Sequence, residues 1–250
     1  MRIMSFNLLC DGRWNRQWQR RVPRAVAAIQ ACNPDSFGVQ EAHLGWMTAL
    51  QTHLPEYDYV GVGREDGAQE GEFSAVFYRR DRFTLLDSGT FWLSETPETP
   101  SMGWDADYRR VCTWAKLQEK ATGKVFAHFN THLDHVGRVA QQKGAELVSL
   151  RAEALGGDIP AVFTGDFNVT PDSAPCQAIK ARGFVDLRDT AAETDRGDTF
   201  HDFTPDKPGL VIDYVFARGD VTAARFCVMR DMFDGDYPSD HYPVYADVGL

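Results

Sequence analysis

The feature that most constrains the fold is a long series of short segments rich in β-branched and aromatic residues, separated by Gly, Pro and Asp. Such segments predict β-strands joined by turns. The predicted strands span residues 2–9, 36–40, 57–62, 74–78, 84–93, 111–118, 125–133, 161–165, 211–217, 223–229 and 244–248.

Four other segments place apolar residues three and four positions apart, which predicts helices lying on a sheet. They span residues 16–31, 43–53, 138–155 and 173–181. Many strands with helices in the first and last thirds of the chain predict an α/β (α+β) fold. We expect a four-layer α/β/β/α sandwich, in which two mixed sheets pack face to face under outer helices.

The chain has 250 residues, and we expect one domain, 1–250, because sheet sandwiches of this length commonly fold as a single unit. Its 43% hydrophobic and 25% charged residues are ordinary for a globular protein and exclude disorder. Residues 94–108 and 186–209 lack the composition of linkers. They are predicted to be long loops, which in compact domains are often functional.

The net charge disfavours binding to long nucleic acids. With 26 Lys and Arg against 36 Asp and Glu, the net charge is -10, so a polyanionic backbone is repelled unless basic residues cluster locally. The longest basic stretch, residues 13–24, contains five arginines, and its simplest interpretation is a solvated helix face. A nuclease would require this stretch to border the active site.

The five cysteines form an odd set without CxxC spacing, so the sequence indicates neither a disulfide framework nor a zinc site. A reducing compartment fits best, and we expect a cytoplasmic protein. The N-terminus enters a strand-like run without a leader pattern, although a removed leader stays open. No apolar run is long enough to span a bilayer.

Polar residues at the ends of apolar strands are the main functional signal. A single Asp or Asn there is usually a turn former, but six strands of this chain carry such residues. They are Asn7, Glu41, His132, Asp166 with Asn168, Asp213, and Asp240 with His241. Carboxylate and amide oxygens are the ligands that Mg²⁺ prefers, so this pattern predicts a magnesium site. A zinc-dependent hydrolase is a weaker alternative because the expected His and Cys spacing is absent.

These positions lie in motifs that resemble the endonuclease/exonuclease/phosphatase superfamily, which includes DNase I, the abasic-site endonucleases, the deadenylases and the neutral sphingomyelinases. Each motif is short, but all occur in the family's order: Ser5-Phe6-Asn7, Gln40-Glu41, Asn130-Thr131-His132, Gly165-Asp166-Phe167-Asn168, Ile212-Asp213-Tyr214 and Ser239-Asp240-His241. The resemblance implies a DNase I-like fold. Residues 63–67, 91–94, 103–105 and 130–135 resemble a bacterial branch that is closer to the deadenylases than to the abasic-site nucleases.

The resemblance also implies roles for the metal-binding and water-orienting residues. Glu41 would be the principal Mg²⁺ ligand, with Asn7 and Asp240 close by and Mn²⁺ as a possible substitute. Asp166 and Asn168 would orient the attacking water and the scissile phosphate.

Two histidines would flank the phosphate. His241, polarised by Asp213, would donate to a phosphoryl oxygen or act as the base, and the assignment of the base between Asp166 and His241 stays open. His132 would lie opposite, supported by a glutamate, for which Glu72 is the candidate and Glu70 the alternative.

Two further residues are predicted to bind substrate. Arg110 would contact the phosphate, with Arg109 adjacent to it. Asn130 shares the strand face of His132. Other histidines are assigned structural or surface roles, as for His128 inside its strand, and His135 is left between loop structure and substrate contact.

Physical chemistry supports the same assignment. A phosphoester is negatively charged, so its hydrolysis needs a cation on a nonbridging oxygen, an oriented water and stabilisation of the leaving oxygen. A histidine backed by a carboxylate is held in one tautomer and exchanges protons near neutral pH.

The sequence therefore predicts a metal-dependent hydrolase that cleaves a phosphoester, mono- or diester, by in-line attack of an activated water. The expected substrate is a small or medium phosphorylated molecule, such as a nucleotide, a sugar phosphate, an inositol phosphate or a lipid headgroup. The alternative is a Mg²⁺-dependent endonuclease or exonuclease acting on DNA or RNA. A noncatalytic binding module is disfavoured because Glu41, Asp166 and His241 are all present. The oligomeric state is not indicated.

Overall fold

A computed structural model describes residues 1–11 and 17–250. Within those residues, thirteen strands form two sheets. The strands are β1 (Arg2–Asn7), β2 (Ser36–Gln40), β3 (Tyr57–Val60), β4 (Val76–Arg79), β5 (Phe83–Trp92), β6 (Val111–Glu119), β7 (Val125–His132), β8 (Ala161–Asp166), β9 (Val185–Asp186), β10 (Glu193–Thr194), β11 (Asp213–Arg218), β12 (Thr222–Val228) and β13 (Val244–Gly249).

Both sheets are mixed, as predicted. One has the strand order β10-β12-β13-β1-β2-β4-β3, and the other has the order β5-β6-β7-β8-β11-β9. The central pairs β1–β2 and β7–β8 are parallel. The carboxyl ends of β1 and β2 therefore lie at one edge of their sheet and those of β7 and β8 at one edge of theirs, and a hydrogen bond from Asn7 to Asp166 joins the two edges.

Five helices are present in the described part of the chain: α1 (Trp18–Cys32), α2 (Leu44–His53), α3 (Arg138–Gly156), α4 (Ala174–Lys180) and α5 (Leu187–Thr190). None of them is both long enough and apolar enough to cross a membrane.

Three apolar clusters define the layers. Buried residues of α1 and α2, such as Ile29 and Met47, pack on Phe37 of the seven-stranded sheet. Val148 of α3 and other buried side chains of α3 and α4 pack on Phe163 of the six-stranded sheet. A third cluster, drawn from both sheets, fills the space between them. Burial of these apolar faces on both sides of each sheet produces the predicted α/β/β/α sandwich.

The element boundaries differ from the predictions at a few places. The helix expected from residue 16 begins at Trp18, and its predicted first residue lies outside the described residues. The segment 186–209, expected to be a loop, contains α5 and β10, and β9 ends within it. These elements have two to four residues each, too few to show a hydrophobic period. The segment 94–108 contains neither helix nor strand, as predicted.

Candidate active site

Strand register brings the polar strand ends together. His132 at the end of β7 pairs with Asp166 at the end of β8, and Asp166 pairs with Asp213 at the start of antiparallel β11. In the other sheet, Asn7 pairs with Gln40, the residue before Glu41. The two sheets face each other, so these side chains meet at one end of the sandwich.

Asn7 joins the two sheets at this end. Its amide Nδ2 donates to Glu41 Oε1 at 3.0 Å and to Asp166 Oδ2 at 2.9 Å, while its Oδ1 accepts from the backbone N–H of Leu9 at 2.9 Å. The amide nitrogen, and not the oxygen, therefore faces the carboxylates. Asn7 was predicted to be a metal-binding residue; in this structure its amide bridges the two carboxylates, and metal binding by Asn7 stays a prediction.

The two carboxylates joined by Asn7 differ in their acidity. Burial raises the pKa of Glu41, but hydrogen bonds from the Cys10 backbone and Asn7 outweigh it and hold that pKa below its usual value. Burial raises the pKa of Asp166, and the negative charge of Asp213 raises it further. Glu41 is thus the more stable anion of the pair.

Glu41 and Asn168 both have left-handed backbone conformations, with φ of 58° and 52°. Asn tolerates this region, but a glutamate in it carries a steric cost. Such strain persists where the surrounding structure fixes it, and it concentrates at functional sites. Glu41 is fixed between β2 and the bridge from Ala42 to Phe73.

His241 and Asp213 form the predicted pair. His241 Nδ1 donates to Asp213 Oδ2 at 2.9 Å, and both residues are buried. Burial lowers the pKa of His241, but the charges of Asp213 and Asp166 outweigh it and raise that pKa well above its ordinary value. The other ring nitrogen, Nε2, lies 3.7 Å from Asp166 Oδ2. The dyad therefore presents Nε2 to the carboxylate of Asp166.

His132 lies on the opposite side of Asp166. Its Nε2 accepts from Asn168 Nδ2 at 2.9 Å and lies 3.4 Å from Asp166 Oδ2. Burial and the positive charges of Arg110 and Arg64 lower the pKa of His132 well below its ordinary value. His132 is therefore neutral here, unlike His241.

The predicted glutamate support for His132 is wrong. Glu72 accepts from Arg64 Nη1 at 2.5 Å, and Glu70 is exposed on the surface. Within the described part of the chain no group hydrogen-bonds to His132 Nδ1. Glu72 is held by the guanidinium beside it, so it lines the cleft without reaching the histidine.

Arg110 is placed to bind an anion. It is 5% exposed and lines the cleft with His132 and Asp166. Its Nη2 donates to His135 Nδ1 at 3.3 Å, and its Nε lies 3.6 Å from Asp134 Oδ2. Among the described residues, its Nε and Nη1 have no hydrogen-bond partner. Buried donors are normally satisfied, so these N–H groups are suited to a ligand. Its neighbour Arg109 binds Glu65 instead.

The structure does not bring Asn130 to the cleft, which corrects its prediction as a substrate-binding residue. Its Nδ2 donates to the carbonyls of Val39 and Ala75 at 2.8 and 3.0 Å, and its Oδ1 accepts from Gln40 at 2.7 Å. A Cβ at Gly38 would lie 2.2 Å from Asn130 Oδ1. Asn130 therefore connects the two sheets in the interior.

His128 lies in the same interior layer and has the structural role predicted for it. It is hydrogen-bonded to Ser36 Oγ at 2.7 Å and to Thr164 Oγ1 at 2.9 Å. Burial lowers the pKa of His128 to about 3. The neutral ring therefore ties β7 to β2 and β8.

Most of the predicted residues, but not Asn7, Asp213 or Asn130, line a cleft of about 390 Å³. Glu41, Asp240 and His241 lie on it together with Asn168, and Asp240 accepts from Ser239 Oγ at 3.2 Å. His135, whose role was left open, also lines the cleft. Five lining residues were missed: Arg64, Tyr108, Phe200, Leu210 and Ile212. Of these, Arg64 and Ile212 carried a sequence signal, because Arg64 lies in the segment 63–67 and Ile212 lies in the Ile212-Asp213-Tyr214 motif.

The predicted basic stretch 13–24 lies partly outside the described residues. Within the described part, Arg21 is buried and donates to the carbonyls of Leu8, Leu9 and Pro238. Arg24 pairs with Asp236 at 3.3 Å. These two arginines are engaged by the protein itself.

Among the described residues, two groups of side chains could hold a metal ion. One consists of Glu41, His132 and Asp166, and the other of Asp166, Asp213 and His241, with the ligand atoms of each group within 4.8 Å of one another. In the second group Asp213 and His241 already bind each other. Both groups offer two carboxylates, which fits a hard divalent cation, but in the second group one of them, Asp213, is already bound to His241.

The chain resembles several known proteins along nearly its whole length. The model of the Endonuclease/Exonuclease/phosphatase family matches residues 4–241. A mannosyl-6-phosphatase of Bacteroides thetaiotaomicron superposes with a TM-score of 0.96 at 35% identity, covering 100% of both chains. An endonuclease/exonuclease/phosphatase from Bacteroides vulgatus superposes with a TM-score of 0.94 at 39% identity, covering 100% of this chain and 98% of that one.

A more distant relative is the exoribonuclease subunit Ccr4 of the CCR4-Not complex from Emericella nidulans. It is 24% identical over 74% of this chain and 38% of its own length. With its two packed mixed sheets, the motifs in their order and the family match over residues 4–241, the chain belongs to the endonuclease/exonuclease/phosphatase family of phosphoesterases.

Proposed function

We propose that this protein is a metal-dependent phosphoesterase that acts on a small phosphorylated substrate, with sugar phosphates as the substrate class. The observation that carries the proposal is the placement of Arg110. Its buried Nη1 has no hydrogen-bond partner among the described residues, and Arg110 lines the same cleft as Glu41, Asp166 and His241 of the dyad. An anion and a cation can therefore be bound side by side.

Glu41 and Asp166 would hold the divalent cation, with Asp240 on the same cleft. A bound cation supplies positive charge at a nonbridging phosphate oxygen and so weakens the repulsion of an incoming nucleophile. Asn7 fixes both carboxylates through one amide group. Their spacing is therefore set before any ligand enters.

Arg110 would bind the phosphate, and Asn168 would help to orient it through His132. Arg110 contributes charged donors from a buried position, where they are stronger than in water. Asn168 is held by the carbonyl of Leu133 at 3.0 Å and by His132 at 2.9 Å. Its amide group is thus fixed beside Asp166.

Asp213 fixes the tautomer of His241 and directs its Nε2 toward Asp166. The raised pKa keeps His241 protonated near neutral pH. A water held near these two groups would therefore lose its proton to Asp166 during in-line attack on phosphorus, His241 would donate to a phosphoryl oxygen, and the leaving oxygen would take a proton from solvent. The buried setting strengthens the interaction of His241 with developing negative charge on the phosphate.

The substrate class rests on similarity and on size. The mannosyl-6-phosphatase matches this chain along its whole length, and a cleft of about 390 Å³ has the size of a small-molecule site. The net charge of -10 and the engagement of Arg21 and Arg24 by the protein itself both argue against long nucleic acids. The 24% identity to the exoribonuclease subunit Ccr4 supports the inclusion of RNA strands in the test below.

The proposal is tested by measuring kcat/KM on a substrate panel with Mg²⁺ or Mn²⁺. The panel contains hexose phosphates, nucleoside monophosphates, a phosphodiester, a phosphorylated lipid headgroup and short DNA and RNA strands. We expect the highest kcat/KM on a hexose phosphate, with the activity absent from the Glu41→Gln variant. A higher kcat/KM on DNA or RNA would replace the proposal with the nuclease alternative.

A further inference from the structure

We infer that Arg64, Glu72 and Tyr108 form a subsite that binds the hydroxyl-bearing part of the substrate. This inference rests on the proposed function and identifies the residues that select the alcohol portion of the ester. All three side chains line the same cleft as the Glu41–Asp166 carboxylates.

The topology places this subsite on one side of the phosphate-binding groups. Arg64 follows β3, and Glu72 precedes β4, the strand next to β2 and its Glu41. Tyr108 precedes β6, which lies beside β7 and its His132. The subsite is thus bounded by both sheets. The opposite wall, toward β11 and β13, is formed by apolar residues that include Phe200 and Ile212.

The Arg64–Glu72 pair is built into the protein. Arg64 is 9% exposed, and its Nη1 donates to Glu72 Oε2 at 2.5 Å. The two residues are also joined through their backbones, because the Arg64 N–H donates to the Glu72 carbonyl at 3.1 Å. Trp92 Nε1 donates to the carbonyl of Arg64 at 2.7 Å. These bonds fix the backbone of Arg64 and direct its side chain toward Glu72.

The charge of this pair indicates what it can bind. A second phosphate would be attracted by Arg64 but repelled by Glu72 at 2.5 Å from it, so the paired wall is a poor site for another anion. A hydroxyl group can donate to a carboxylate oxygen and accept from a guanidinium N–H. A ring that carries several hydroxyls can therefore satisfy both partners at once.

Tyr108 supplies a surface for the apolar side of such a ring. Its side chain is 45% exposed although it borders the cleft. Its ring stacks on His135 with centroids 5.7 Å apart, and the Arg64 guanidinium lies 5.1 Å from its centroid. Its backbone N–H and that of Asp107 donate to Asp134 Oδ2 at 3.4 and 3.1 Å. A fixed, exposed aromatic ring with a polar tip is suited to a ligand that has both apolar and hydroxyl faces.

Two esters of similar size and shape separate hydroxyl recognition from phosphate chemistry. Hexose 6-phosphate and cyclohexylmethyl phosphate both carry a six-membered ring on a CH₂–O–phosphate group, but the second has no ring hydroxyls. We expect the wild type to prefer hexose 6-phosphate by kcat/KM. Glu72→Gln should reduce this preference by about 10-fold or more, as expected when a hydrogen bond to a charged group is lost.

Tyr108→Leu is the second variant, since an exposed side chain can be replaced with little risk to folding. It should also lower the preference, mainly through a higher KM for the hexose ester. Glu193→Gln is the matched control, because it removes a carboxylate from the exposed Arg225–Glu193 pair on β10 and β12. The control should keep the wild-type preference.

The outcomes distinguish the two proposals. If the wild type hydrolyses both esters and Glu72→Gln and Tyr108→Leu leave the ratio of their kcat/KM values unchanged, the subsite is wrong while the phosphoesterase proposal stands. If the wild type hydrolyses no phosphoester, the proposed function fails and the subsite fails with it. A selective loss on the hexose ester in both variants supports the subsite.

Discussion

Removal of His241 and Asp213, singly and together, tests whether they act as one unit. His241 Nδ1 donates to Asp213 Oδ2 at 2.9 Å, and both side chains are buried. A hydrogen bond between charged groups contributes about 1.5–3 kcal/mol, which corresponds to about 10- to 100-fold in rate. Loss of a general acid–base group itself lowers turnover by about 10²- to 10⁴-fold. Each single alanine variant should therefore lose between about 10-fold and 10⁴-fold in turnover.

The informative quantity is the turnover of the double variant compared with that of each single variant. If Asp213 acts only by orienting and charging His241, the double variant His241→Ala with Asp213→Ala should be hardly slower than His241→Ala alone. The assay is kcat for phosphate release at saturating Mg²⁺, measured beside the melting temperature of each variant. Losses that multiply in the double variant would show that the two residues act separately and would refute the dyad.

A matched control comes from Asp186, which is also buried and accepts from the Arg188 N–H at 3.0 Å. Asp186 does not line the cleft. Asp186→Ala should lower the melting temperature while kcat stays close to the wild-type value. If Asp186→Ala lowers kcat as much as Asp213→Ala does, the loss of kcat in Asp213→Ala results from lower stability and not from loss of the dyad.

Three further predictions follow from buried groups. Burial lowers the pKa of His128 from 6.5 to about 3, so below pH 6.5 this side chain is protonated in the unfolded chain and neutral in the folded protein. As the pH decreases from 6.5, the free energy of unfolding should therefore decrease by up to about 1.4 kcal/mol per pH unit. The free energy of unfolding in urea, measured at pH 5 and at pH 7, should differ less between the two pH values for His128→Gln than for the wild type. Equal differences for the two proteins would contradict this prediction. Arg110→Met removes the unpartnered donors on the cleft and should raise KM by about 10-fold or more; an unchanged KM would remove Arg110 from phosphate binding. Arg21→Met removes bonds to three carbonyls on loops beside the site and should lower the free energy of unfolding by about 3–5 kcal/mol, whereas a loss below about 1 kcal/mol in urea unfolding would show that water replaces those bonds.

The strand ends of the site were predictable because polarity there is conspicuous against apolar runs. Glu41, Asp166 and His241 follow or precede such runs, and strand register brings them together. The alternation of side chains also placed Asn130 and His132 on the same face correctly. That alternation does not predict which residues of one face reach the cleft and which lie in the interior. His132 at the strand end reaches the cleft, while Asn130 two residues earlier lies between the sheets.

The site residues that the sequence did not predict depend on contacts between segments far apart in the chain. Glu72 was assigned to His132 from its spacing, but its partner is Arg64, which approaches from the loop after β3. Phe200 and Leu210 line the cleft because a segment without a hydrophobic period folds back on the dyad. Local patterns do not specify such neighbours. The short elements β9, α5 and β10 were missed for the same reason.

The most direct test of the account is the initial rate of phosphoester hydrolysis by protein stripped of metal with EDTA and then titrated with Mg²⁺. The account predicts no turnover without metal, recovery as Mg²⁺ is added, and no recovery at any Mg²⁺ concentration in the Glu41→Gln variant, with its circular dichroism spectrum unchanged. Full activity of the stripped wild type, or Mg²⁺-dependent recovery in Glu41→Gln equal to that of the wild type, would contradict it.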